Sequence, residues 1–127
     1  MNAVALGIDI VEVKEIKRLA EMPAEHFLAR CFTAAELADA GQGVNRADRL
    51  AGRFAAKEAV MKALGTGWGD GIAWTDIEIH TAMSGAPSVV LHNAASKAAE
   101  SLGITKWLVS TTHAGGLAVA NAIGLCA

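Results

Sequence analysis

Between Arg46 and Leu64 the chain has no proline, a single glycine, Gly52, and abundant alanine. That stretch predicts the long helix of the protein, and Gly65 stands where a left-handed C-cap would close it. The chain is 127 residues long, the size of one domain, so residues 1–127 are expected to pack around this helix.

Hydrophobic periodicity supplies the neighbours. Residues 3–11 alternate as a strand, with Leu6, Ile8 and Ile10 on one face and Ala5, Gly7, Asp9 and Val11 on the other. Residues 12–22 read as an amphipathic helix stopped by Pro23, with Lys14, Lys17 and Arg18 clustered on one side. A short helix is expected over 24–32. Thr33 and Glu36 then have the spacing of a capping box, which opens another short helix ending near Gly41. Beyond the long helix, 66–71 is a glycine-rich loop, 72–81 and 88–92 are strands around a turn at 84–87, and Asn93 caps a helix that stops at Gly103. Residues 106–112 and 117–125 are the last strands, joined around Gly115-Gly116. Strands and helices mix without strict alternation. The expected class is α+β, a mostly antiparallel sheet packed with one long helix and several shorter ones.

Composition narrows the function. With 53% hydrophobic and 19% charged residues the chain is not a disordered one. A formal charge of −2 excludes a whole-domain basic footprint for nucleic acid. No apolar stretch approaches the roughly 20 residues of a membrane span, and the amino terminus lacks the basic lead of a targeting signal. Cys31 and Cys126 are too few for a disulfide framework and read as reduced thiols, so a cytoplasmic location is expected.

Asp9 interrupts an apolar strand, where an unpaired carboxylate is costly. Taken alone it reads as a strand-end cap or a solvated group; with a second carboxylate it reads as a metal ligand. Glu58 in the long helix is that second group, surrounded by Arg53, Lys57 and Lys62 at helical spacing. On composition the segment is a solvated face with weak ion pairs. Its functional alternative is a carboxylate pair holding Mg²⁺ beside cations that hold phosphates. Gly65 and Gly67 could let the backbone approach a phosphate, though the segment lacks the ending of a Walker loop. His113 closes a strand next to a glycine turn, where it is either a surface residue or a nucleotide contact. His26, His80 and His92 lack metal-ligand spacing.

Together these segments resemble the holo-[acyl-carrier-protein] synthases, small 4′-phosphopantetheinyl transferases. The resemblance runs through Gly7-Ile8-Asp9-Ile10-Val11-Glu12 and Phe32-Thr33-Ala34-Ala35-Glu36-Leu37, and peaks at Arg53-Phe54-Ala55-Ala56-Lys57-Glu58-Ala59. It continues through Lys62-Ala63-Leu64-Gly65-Thr66-Gly67, Trp74-Thr75-Asp76-Ile77-Glu78-Ile79, Gly85-Ala86-Pro87 and Ser110-Thr111-Thr112-His113. It implies transfer of 4′-phosphopantetheine from coenzyme A to a serine of an apo acyl carrier protein, or of a carrier domain of a fatty acid or polyketide synthase. In that family Asp9 and Glu58 would hold Mg²⁺, Lys62 would meet the pyrophosphate, and Arg53 and Lys57 other phosphates. Gly65, Gly67, Pro87 and His113 would line the coenzyme. Glu58, directly or through water, would take the serine proton.

Two positions depart from the family pattern. Ala114 stands where a polar residue follows the histidine, and Ala86 replaces a basic residue in the Gly-x-Pro turn. Arg46 and Arg49 are then candidates for the 3′-phosphate of coenzyme A. The chain corresponds to one half of the larger transferases, so the resemblance implies a homotrimer with sites between subunits, which requires an exposed apolar face. Lys14, Lys17 and Arg18 are the expected docking surface for an acidic carrier. Two alternatives compete: a non-catalytic basic-patch module binding an acidic partner, and a Mg²⁺-dependent nucleotide hydrolase.

Overall fold

A computed structural model describes residues 1–23, 26–65 and 71–127. The elements follow in the order β1 (Asn2–Glu12), α1 (Val13–Ala20), α2 (Phe27–Cys31), α3 (Ala34–Ala40), α4 (Arg46–Leu64), a 3-10 turn (Trp74–Asp76), β2 (Ile77–Thr81), β3 (Pro87–Leu91), α5 (Asn93–Ser101), β4 (Lys106–Ala114) and β5 (Leu117–Cys126). Strands β1, β5 and β4 form one antiparallel sheet in that order, and β2 and β3 form a separate hairpin. The α+β expectation holds, with the antiparallel pairing split into two sheets.

The long helix is central because its neighbours are small. Ala55, Ala56 and Ala59 are buried against Ala120 and Ala122 of β5. A Cβ added at Gly7 would lie 1.8 Å from the Ala59 carbonyl oxygen, so only glycine lets β1 cross the helix at backbone contact. Two clusters surround α4. One joins Val60, Met61 and Leu64 to Ile77 and Ile79 of β2 and to Ala95 and Ala99 of α5. The other joins Leu50 and Ala51 to Ile16, Phe27, Cys31 and Phe32. Phe54 stacks on Trp74, ring centroids 4.7 Å apart, in the second.

Several expectations change. The α4 span agrees with its sequence-based prediction residue for residue, and Thr33 and Glu36 form the capping box. The helix expected over 24–32 is described only as Phe27–Cys31; Ala24 and Glu25 lie outside the described residues. The strand expected from 72 begins at Ile77, because Asp76 turns back to accept from the Ala73 N–H at 3.0 Å and closes a 3-10 turn. Trp74 therefore belongs to that turn and not to a strand. Both cysteines are free, and burial pushes the Cys31 thiol pKa up. Among the described residues no helix is long and apolar enough to cross a membrane.

Strand β1 carries the exposed apolar face. It points away from α4: Leu6, Ile8 and Ile10 are 69%, 62% and 57% exposed. The helix takes the small face instead, because Gly7 permits close approach and a leucine or isoleucine there would not.

Candidate active site

The inward face of β1 delivers Asp9 to α4. Lys62 donates to Asp9 Oδ1 at 3.0 Å and to the Ile8 carbonyl at 3.1 Å. Asp9 is nearly covered there, and its charge is compensated by the ammonium. Glu58 is one turn before Lys62 on the same helix. One carboxylate and one lysine thus meet at the β1–α4 seam, with a second carboxylate one helical turn away in sequence. No group of three or more His, Cys, Asp and Glu side chains forms a metal cage among the described residues. A pair of carboxylates fits Mg²⁺ nonetheless, since that ion keeps waters and takes substrate phosphate oxygens to complete its shell. Gly65, at φ +73°, ends the helix three residues beyond Lys62. Gly67 lies outside the described residues.

A second group of residues lines a cavity of about 150 Å³ at the amino-terminal half of α4. Arg49, Arg53, Thr81, Gly85, Pro87 and His113 face it, so three expected coenzyme residues from α4, β3 and β4 do converge. Arg53 is held rigidly. It donates to Asp39 at 2.6 Å, to Thr81 Oγ1 at 3.2 Å and to the Arg49 carbonyl at 3.1 Å. Its Nε is buried without an acceptor among the described residues. His113 Nε2 is 2.8 Å from the Asp48 carbonyl, which makes Nε2–H the donor. The imidazole can lie on α4 because of Gly52, where a Cβ would sit 3.1 Å from the His113 ring. That explains the single glycine in the helix, a signal visible in the sequence but without a meaning there. His113 and Arg49 also border a larger hollow, about 470 Å³, toward Val13 and the Gly115-Gly116 turn.

Two expected site residues, Lys57 and Arg46, are placed elsewhere. Lys57 is fully buried, paired with an equally buried Glu36 at 2.7 Å. It also donates to the Trp74 and Ile77 carbonyls and lies 5.7 Å from the centre of the Phe32 ring. Burial pushes its pKa down, and the Glu36 charge pulls in the opposite direction. An ammonium so enclosed ties α3, α4 and β2 together and cannot reach a phosphate. Arg46 faces a different hollow from Arg49, beside Lys17. Alternation along β4 puts Thr111 with His113 at the cavity, whereas Ser110 and Thr112 face outward and Ser110 donates to Asn121 of β5. The basic patch on α1 is partly self-neutralised: Lys14 pairs with Glu12 at 3.3 Å, and Arg18 with Glu15. Lys17 has no carboxylate within ion-pair distance among the described residues.

Sequence reasoning missed Glu78. Thr33 donates to its Oε2 at 2.5 Å, and His80 and His92 both reach Oε1, at 3.0 and 3.2 Å. Those bonds, the Thr33 hydroxyl first, hold the carboxyl pKa at about 2. The two histidines and the glutamate are far apart in sequence or merely alternate on a strand, so no spacing rule reveals them.

This α+β domain carries a carboxylate–lysine contact at the carboxy-terminal end of α4 and a cavity lined by two arginines and a histidine at its amino-terminal half. Residues 5–120 match the model of the 4′-phosphopantetheinyl transferase superfamily. The chain belongs to that family, and within it to the holo-[acyl-carrier-protein] synthases. It is 41% identical to the synthase of Solibacter usitatus, covering 94% of this chain and 96% of that one. It is 47% identical to that of Anaeromyxobacter dehalogenans, covering 93% and 92%. Among solved structures, the synthase of Neisseria meningitidis superposes with a TM-score of 0.85 at 32% identity, covering 98% and 99%. The Helicobacter pylori synthase in complex with coenzyme A gives 0.80 at 28% identity, covering 94% and 99%.

Proposed function

We infer that this chain transfers 4′-phosphopantetheine from coenzyme A to the serine of an apo acyl carrier protein. The observation that carries the reading is the Asp9–Lys62 contact, with Glu58 one helical turn before Lys62. The serine oxygen attacks the β-phosphorus of the coenzyme pyrophosphate, the bond from that phosphorus to the bridging oxygen breaks, and 3′,5′-ADP leaves with that oxygen. Phosphoryl transfer depends on alignment and charge neutralisation, and each residue has a matching task. Mg²⁺ bound by Asp9 and Glu58 would neutralise charge on the pyrophosphate. Lys62, released from Asp9, turns to a pyrophosphate oxygen. Arg53, already fixed by Asp39 and Thr81, offers its orphaned Nε to the nucleotide phosphates, with Arg49 beside it. His113 and Pro87 wall the nucleotide. Glu58 accepts the serine proton.

The outward face of the three-stranded sheet is the proposed trimer interface. Leu6, Ile8 and Ile10 of β1 and Leu108 of β4 are exposed, flanked by Val119 and Ile123 of β5. A contiguous apolar surface of this kind is unfavourable in water and is stabilised by covering. A second copy supplies a matching strip, and Ser110, Thr112 and Asn121 give it polar register. Helix α1 docks the carrier through Lys14, Lys17 and Arg18, and the protein works in the cytoplasm with Cys31 and Cys126 reduced.

Incubation with coenzyme A, Mg²⁺ and apo carrier protein tests the reading by mass spectrometry. The carrier gains the mass of phosphopantetheine and 3′,5′-ADP appears in equal amount. Release of nucleotide without a change in carrier mass refutes the transfer in favour of hydrolysis.

A further inference from the structure

Asp39 occupies the last turn of α3, where the helix carbonyls already concentrate negative charge and no basic residue stands. A carboxylate there is unfavourable for the helix, so α3 itself gives no reason for it. The reason is Arg53. Asp39 Oδ2 accepts from Nη2 of Arg53 at 2.6 Å, with the Asp39 side chain 45% exposed and that of Arg53 only 8%. Thr81 of β2 accepts from the same nitrogen at 3.2 Å, and the Arg49 carbonyl accepts from Nη1 at 3.1 Å. Both hydrogens of Nη2 and one of Nη1 are thereby taken. The carboxylate makes the shortest of these bonds and the only one between opposite charges, so it does most to fix the guanidinium plane. Arg53 lines the cavity shared with Arg49 and His113, and Asp39 stands outside that lining.

We propose that Asp39 is a positioning residue for coenzyme binding: it clamps Arg53 from outside the cavity, so that the remaining donors of the guanidinium meet the nucleotide phosphates without reordering. The proposal rests on the transferase reading and adds to it a residue that touches no substrate. A free arginine gives up side-chain freedom when it binds a phosphate, whereas a planar fork already fixed has little left to lose. Plain compensation of a buried charge would use the same contact, but it predicts the opposite effect on affinity. Deleting a negative charge near a polyanion strengthens the Coulomb attraction. Releasing the guanidinium from its clamp weakens binding.

The test is titration calorimetry of the full chain with 3′,5′-ADP, together with steady-state kinetics in which coenzyme A is varied, using Asp39→Ala, Asp39→Asn and Arg53→Gln. Asp39→Asn keeps an acceptor oxygen at the same place and decides the matter should the alanine variant unfold. Asp39→Ala weakens 3′,5′-ADP binding and raises the coenzyme KM about tenfold, the scale of one charge-assisted hydrogen bond, and Asp39→Asn does so about threefold. The loss falls on coenzyme KM and not on kcat. In the Arg53→Gln background Asp39→Ala adds no further loss, because it acts through that arginine. Unchanged or tighter 3′,5′-ADP binding in Asp39→Asn overturns the proposal and leaves Asp39 as charge compensation alone. An undiminished Asp39→Ala effect in the Arg53→Gln background overturns it also. Failure of the wild-type chain to modify any carrier refutes the transferase reading itself, and the 3′,5′-ADP titrations still decide the role of Asp39.

Discussion

Replacing Lys57 by methionine separates two roles that a lysine in this helix could have. The side chains of Lys57 and Glu36 are both fully buried and 2.7 Å apart. Glu36 is further bonded to the backbone N–H groups of Thr33 and Ile79, each at 2.9 Å. Methionine keeps the aliphatic volume but strands the Glu36 charge and two carbonyls, those of Trp74 and Ile77. Breaking a buried pair from one side costs about 3–5 kcal/mol, because the remaining charge is uncompensated. With a urea m-value of about 1–3 kcal/mol/M, the unfolding midpoint falls by roughly 2 M while m stays constant. The double variant Glu36→Gln, Lys57→Met removes the charge and recovers part of that loss. Recovery is partial, because a glutamine oxygen serves only one of the two N–H groups well. The assay is urea denaturation by tryptophan fluorescence, with coenzyme KM measured in parallel. A Lys57→Met protein of wild-type stability whose only defect is a raised coenzyme KM refutes the burial argument and makes Lys57 a phosphate ligand.

Asp9→Asn and Glu58→Gln each lower kcat at least about a hundredfold and raise the Mg²⁺ needed for half-maximal rate, with midpoints in urea near wild type; wild-type rates insensitive to added Mg²⁺ would contradict the pair. Gly52→Ala improves helix propensity yet pushes on His113, so stability holds while coenzyme KM rises several-fold. Glu78 has its pKa depressed to about 2 from an ordinary 4.5, so its stabilising contribution is complete above 4.5 and is lost as pH falls toward 2. Glu78→Gln flattens that part of the acid unfolding profile, and an unaltered profile would rule the contribution out. Ile8→Asp places a charge in the exposed strip of β1, and sedimentation should then find monomer in place of trimer.

Local rules made much of this protein legible. Missing breakers marked α4 from end to end, Thr33 and Glu36 announced their capping box, and period-two alternation sorted β1 into two faces. Asp9 and Glu58 stood out because a carboxylate in an apolar strand and another among cations need a reason. Spacing determines which residues of one element point the same way, but not what another element puts opposite them. The tertiary packing decided that the bulky face of β1 is the exposed one, since Gly7 and the alanines of α4 allow backbone contact that Leu6, Ile8 and Ile10 would prevent. It likewise buried Lys57 by bringing α3 and β2 against one side of the helix. Lys62, about two and a half turns from Arg53 and about one and a half from Lys57, was left at the seam with Asp9. Arg46 and Arg49, one turn apart, were divided between two hollows because α1 closes over one side of α4 and the β2–β3 hairpin over the other. Burial and partner are properties of the assembled neighbours, and no residue carries them in its own sequence position.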